Sequence, residues 1–224
     1  MTDWLGAAAR DNARWCDLMC RAHGIPGTFT DLAWTNRVRT PPFYPDAVTL
    51  SPEATAADLL PRIDASPGAS VKDSFATLDL PGFDVLFEAQ WIFREAPEKA
   101  ATSWRVVRDE VALAEWERAC GVKDLFRPVL LDEATIVHAP DLSAGAVLTA
   151  TGPAVGVSNV FGDWSGMLAA AAGLFPGRPL VGYESDPSDA LKQGFTTIGP
   201  LRVWLNRRDS RQEIVQRRVL QHRV

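Results

Sequence analysis

Residues 153–184 read PAVGVSNVFGDWSGMLAAAAGLFPGRPLVGYE, and the fold is decided by how this stretch is parsed. A β-branched run ends at Phe161. Trp164 to Phe175 is rich in Ala and Leu and reads as a helix, and Pro176-Gly177 closes it. Arg178 to Glu184 is strand-like again. A strand, a helix and a strand in succession imply a parallel crossover.

Working outward, PSDALKQ (187–193) reads as a short helix and FTTIGPLRVWL (195–205) as a strand. Upstream lie the strand WRVVRD (104–109), the helix EVALAEWERACG (110–121) stopped by Gly121, and strands around VLLDEATIVH (129–138) and GAVLTATG (145–152). The nearer strands are hairpin-like and imply an antiparallel part. The expected class is α/β, with a mixed, largely antiparallel sheet flanked by helices.

The N-terminal side carries its own set of elements. An amphipathic helix runs from Asp3 to His23 and stops at Gly24, and the Pro-rich stretch 25–47, which can hold no regular helix, is expected to wrap the surface. Then come a strand at Ala47–Leu50, a helix at Thr55–Ala65 opened by Ser51-Pro52, and strands at Val71–Leu78 and Phe83–Phe93. The turn Asp79-Leu80-Pro81-Gly82 is expected to join these last two as a hairpin. This order repeats the opening of the later segment, so a duplicated half-domain is expected on the N-terminal side. The chain divides into three units: a helix and strand-rich segment over 1–100, a core over 101–206, and a basic tail over 207–224.

At 224 residues the chain is long enough to bury a substantial core. Its formal charge of -5 argues against nucleic-acid binding, which rests on many Lys and Arg contacts to phosphates. The tail is the exception, with Arg207, Arg208, Arg211, Arg217, Arg218 and Arg223 against Asp209 and Glu213. It reads as a solvated helix or as a surface for an acidic partner. The start, MTDWLGAAARDNARWCDL, has neither a basic leader nor a long apolar run, so no membrane association and a cytoplasmic location are expected. Cys16, Cys20 and Cys120 fit a reducing compartment. Cys16, Cys20 and His23 lack a fourth local ligand, so no metal is expected, and buried thiols beside Trp15 are the simpler reading.

The segments PAVGVSNVFGDWSGMLAAAAGLF, PLVGYE and SDALKQGFTTIGPLRVW, in that order, resemble the GNAT N-acyltransferase family over Trp104 to Leu205. The resemblance implies a GNAT-like fold with acetyl-CoA or another acyl-CoA as cosubstrate and a small-molecule amine as acceptor. It leaves a homo-oligomer open. By position, Val157, Ser158, Asn159 and Val160 would offer the pantetheine arm backbone groups, with an ordinary buried strand as the alternative. Phe161, Gly162, Trp164, Ser165 and Gly166 would form the pyrophosphate turn, where free helix N–H groups attract phosphate oxygens. Asp163 in that turn reads equally as the N-cap of the helix.

Amine acylation needs a base for the ammonium and an acid for the leaving thiolate. Glu184, ending a strand, reads as the base or as a helix-entry acid. The position that carries the family's tyrosine acid holds Ala190, leaving Tyr183 or a water for that role. Glu88 and Trp91 are candidate substrate contacts, with an exposed face and a core position as their alternatives. Because Ala190 and Asp163 depart from the family pattern, a non-catalytic ligand-binding or interaction protein is the second reading. His138, in a strand-like run, lacks a recognisable nucleophile partner.

Overall fold

The computed structural model describes residues 2–98 and 102–206, so the basic tail lies outside the described residues. The N-terminal elements are α1 (Trp4–Ala22), β1 (Thr28–Phe29), β2 (Ala33–Thr35), β3 (Ala47–Thr49), α2 (Ala56–Leu59), β4 (Ser70–Asp73) and β5 (Phe83–Arg94). They are followed by β6 (Arg105–Val106), α3 (Glu110–Cys120), β7 (Thr135–His138), β8 (Gly145–Thr149), β9 (Val155–Phe161), α4 (Trp164–Leu174), β10 (Leu180–Glu184), α5 (Ser188–Lys192) and β11 (Thr196–Asn206). No helix among the described residues is long and apolar enough to cross a membrane.

Short polar side chains set the helix starts, because the first N–H groups of a helix have no partner inside it. The Asp3 carboxylate accepts the Gly6 N–H at 2.9 Å, Asp109 accepts that of Ala112 at 2.9 Å, and Asp163 accepts that of Ser165 at 2.9 Å. Two N-terminal elements are shorter than the sequence implies. Thr55, rather than Ser51, opens α2 through a capping box with Asp58, and Pro61 limits its continuation to one 3-10 turn at Leu60–Arg62. β4 stops at Asp73 because the buried Asp73 carboxylate takes the N–H of Leu78 at 2.9 Å and folds the chain back.

The described strands form one sheet in the order β1-β2-β3-β4-β11-β5-β10-β9-β8-β7-β6. Within it two runs have matching connections. β3 and β4 are parallel and joined through α2; β9 and β10 are parallel and joined through α4. Each run ends in a long strand that pairs with the other run: β5 with β10, and β11 with β4, all antiparallel. β5 and β11 then pair with each other along the middle of the sheet. The expected hairpin of β4 with β5 is therefore absent. Residues 79–82 do turn, with Gly82 at φ 88° and the Phe83 N–H on Leu80 O, but β11 lies between the two strands.

Two helices cover one face. Trp15, Leu18 and Met19 of α1 pack with Leu113 and Trp116 of α3 over Ile136 and Val147, while Ala8 and Ala9 sit on Trp91 and Leu201. On the other face α4 and α5 bury Met167, Leu168, Ala171 and Ala190 against Leu148, Val157 and Leu180. The Pro-rich stretch does not merely wrap the surface: it supplies β1 and β2, and Trp34 is fully buried, donating to Asp17 Oδ1 at 2.9 Å.

Candidate functional site

The central feature is a fork between β9 and β10. Their parallel pairing is confined to Val155 with Leu180 and Gly156 with Val181. Beyond that, β9 stays with β8 and β10 stays with β5 as far as Glu184. The cause is local. Ser158 opposes Val147 while Phe161 opposes Gly145, so β9 carries an extra residue there, and Asn159 has a left-handed φ of 52°. A bulge of this kind bends its strand away from a neighbour. At the point of divergence a side chain on Gly182 would come within 2.8 Å of Val157 O, so only glycine fits.

On the α1 side of the sheet the fork opens into a cavity of about 360 Å³, within the usual size range of small-ligand sites. Its walls include Asn12, Trp15 and Cys16 of α1, the loop 39–46, Lys72 of β4, Leu86 and Phe87 of β5, Ser158 and Asn159 of β9, Tyr183 and Glu184 of β10, and Val203 and Leu205 of β11. Another side of the mouth is formed by residues just after α3, including Val122 and Leu125.

Four ionisable side chains, Lys72, Arg39, Asp46 and Glu184, define its electrostatics. Lys72 is only 4% exposed; its ammonium donates to Asn12 Oδ1 at 2.8 Å and to the Tyr183 hydroxyl at 2.9 Å, and lies over the Tyr183 ring. Arg39 is occupied, holding buried Asp46 at 2.9 Å and Asp64 at 3.3 Å. Asp46 also receives the N–H of Thr40 and of Ser70, which ties the Pro-rich loop over the cavity. Glu184 has no ion-pair partner among the described residues, and burial, reinforced by the neighbouring carboxylates Asp186 and Asp189, pushes its carboxyl up to about 8. Burial likewise raises Tyr44 well above the ordinary phenol value and the Cys16 thiol to about 11, so both stay neutral.

Of the residues singled out in the sequence, Tyr183, Glu184, Ser158 and Asn159 meet at this cavity. Val160 packs beside the α4 core, Phe161 lies edge-on to Trp116 at 5.8 Å, and Trp164 lies edge-on to Phe195 at 5.6 Å. Ser165 and Gly166 line a separate, open groove of about 810 Å³ along α4, with Asp163, Trp104, Glu95, Glu98 and Arg94. The two residues expected to contact substrate lie away from the cavity. Glu88 is exposed and paired with Arg202 at 2.8 Å, its cross-strand neighbour on β11. Trp91 points the other way on β5, into the α1 core, fully buried with its Nε1 on Ser74 O. The sequence reading missed Lys72, Arg39 and Tyr44. A lysine inside the strand-like SVKD, between Val71 and Asp73, gave only a weak signal.

His23 and the two cysteines of α1 are accounted for structurally. The His23 ring Nε2 bonds to Leu125 O at 2.8 Å, and Cys16 and Cys20 are buried. On the same helix the buried Asp11 reaches across Gly156, where a Cβ would collide with it, and receives the hydroxyls of Thr149 at 2.9 Å and Thr151 at 3.0 Å. α1 is thus fastened directly beside the fork.

No family model and no curated protein matches the sequence. Among solved structures the fold is shared with a putative GNAT-family acetyltransferase from Novosphingobium aromaticivorans DSM 12444, at 13% identity and a TM-score of 0.54. That match covers 90% of this chain and 99% of that one, and so takes in both halves of the sheet. A GCN5-related N-acetyltransferase from Sphaerobacter thermophilus is similar over 69% of this chain and 65% of that one, at 10% identity and a TM-score of 0.44. A conserved protein of unknown function from Staphylococcus epidermidis ATCC 12228 is similar over 64% and 74%, at 10% identity and a TM-score of 0.47. With its forked parallel strands and an N. aromaticivorans counterpart matched over nearly its whole length, the chain has the GNAT fold.

Proposed function

We propose that the chain transfers an acetyl or longer acyl group from acyl-CoA to a small amine held in the cavity. One observation carries the reading: the fork between β9 and β10 opens into a cavity lined by a carboxyl that burial raises to about 8, a base whose ionised form is available at mildly alkaline pH.

The backbone of β9 beyond Gly156 has no β10 pairing, which supports a reading in which its N–H and C=O groups hold an extended pantetheine arm. When bound, the donor supplies an electrophilic thioester carbonyl. Glu184 takes the proton that the ammonium must lose before it attacks. Tyr183 accepts a hydrogen bond from Lys72, which leaves its own O–H to be given to the departing thiolate, and the Lys72 charge stabilises the phenolate that results.

The turn 161–166 does not fit a pyrophosphate. Asp163 already occupies the Ser165 N–H, and its carboxylate and the Trp104 indole lie where a side chain on Gly166 would go. Among the described residues, the groove beyond it holds Glu95, Glu98 and Asp163 against one cation, Arg94. Acetyl-pantetheine, which lacks the phosphates, should therefore stabilise the protein about as well as acetyl-CoA does.

Thermal shift with both compounds tests binding, because a ligand held only by the native state must raise its melting point. No shift with either at millimolar concentration overturns the reading. Thiol release across a panel of amines, with Glu184→Gln as the comparison, tests the chemistry.

A second reading, a ligand-binding protein without catalysis, is favoured by Ala190. It stands, 1% exposed, where the resemblance leads one to look for a tyrosine acid. That reading gives a thermal shift without thiol release.

A further inference from the structure

An ammonium and a carboxyl that no ion pair satisfies line the same cavity. Among the described residues no carboxylate comes within ion-pair distance of Lys72, and no cation within ion-pair distance of Glu184. The other cation that lines the cavity among the described residues, Arg39, is already shared between Asp46 and Asp64. An ammonium has three donors; those of Lys72 to Asn12 and Tyr183 meet neutral acceptors. Burying a charge in that state is unfavourable unless a partner arrives.

The two groups are also held apart. Successive side chains of a strand leave on opposite faces. Tyr183, with Lys72 on its hydroxyl, lies on the α1 side, while its neighbour Glu184 leaves on the opposite face, where the charges of Asp186 and Asp189 act on it. Both still reach the cavity, because β9 has parted from β10 at this level.

We infer that the acceptor is an amino acid whose amine and carboxylate are several bonds apart, its carboxylate on Lys72 and its amine at Glu184. This rests on the cavity being the acceptor pocket of the transfer reaction. An α-amino acid, with both groups on one carbon, brings amine and carboxylate to one point, whereas strand alternation sends Tyr183, with Lys72 on its hydroxyl, and Glu184 to opposite faces. A simple monoamine leaves Lys72 unpaired. Binding the ammonium ionises Glu184, so the ligand sends a proton into the buffer as it enters.

The test uses the full chain without any acyl donor, so a failure of acyl transfer does not affect it. Titration calorimetry compares 4-aminobutanoate, 5-aminopentanoate and 6-aminohexanoate with the monoamine of equal length and with the amide of each acid. The best amino acid should bind about 30-fold or more tighter than its monoamine and its amide, with proton release that shows as a dependence of heat on buffer. In Lys72→Met the advantage should disappear. The inference is overturned if monoamine or amide binds within about threefold of the amino acid, if Lys72→Met keeps the preference, or if none of the probes binds. Should Lys72→Met fail to fold, the amide series on the unaltered chain decides alone.

Discussion

Replacing Glu184 by glutamine has a consequence for stability that can be worked from the site. The ordinary glutamate value is 4.5, and here burial first, then Asp186 and Asp189, hold the carboxyl at about 8. Below pH 4.5 the folded and unfolded chains both keep the proton. Between 4.5 and about 8 the unfolded chain ionises while the folded one does not, so stability is lost as pH rises through this window. At 1.36 kcal/mol per pH unit the loss is at most ~5 kcal/mol. Glutamine does not titrate, so the stability advantage of Glu184→Gln over the unaltered chain should grow by roughly 3 to 5 kcal/mol between pH 5 and pH 9 and then level off. Urea unfolding of both proteins at pH 5, 7 and 9 measures it. An advantage that stays constant within about 0.5 kcal/mol would refute the claim that Glu184 is desolvated without a cation. The same ionisation governs catalysis: about one carboxyl in ten is charged at pH 7 and about nine in ten at pH 9, so kcat/KM should rise about tenfold between them.

Gly156→Ala would drive a methyl carbon into Asp11 Oδ2, forcing that carboxylate off Thr149 and Thr151; a loss of about 3 kcal/mol or more in chemical unfolding is expected, and a neutral effect would contradict the close packing of α1 on β9. Glu117→Ala removes the acceptor for the N–H groups of Asp124, Leu125 and Phe126, which shape the cavity mouth after α3. It should lower stability by about 3 kcal/mol and weaken ligand binding in the same titrations.

Much of the scaffold is written locally and could be read. Asp3 and Gly24 bracket α1, Asp109 and Gly121 bracket α3, and β9, α4 and β10 fall where the run 153–184 placed them. What could not be read is which strand lies beside which. β5 is a strong apolar strand, yet nothing in its own residues states that β11, from more than a hundred positions away, separates it from β4. Trp34 shows the same limit: the prolines around it ruled out a helix but could not say that the stretch closes under α1. At the site, Tyr183 and Glu184 were legible because strand ends gather ligands in α/β folds. Lys72 was not, since its meaning comes from Asn12 and Tyr183, which only the tertiary fold brings to it. The departure at Asp163 could be read in both directions, and the bond to Ser165 makes it an N-cap.

Acyl transfer at the forked strands is the central claim, and mass spectrometry of a panel of amines, 5-aminopentanoate among them, incubated with acetyl-CoA at pH 8.5 measures it directly. The N-acetylated product should form far above the protein-free rate and fall by about 100-fold or more with Glu184→Gln. Product formation equal with and without the protein would contradict it.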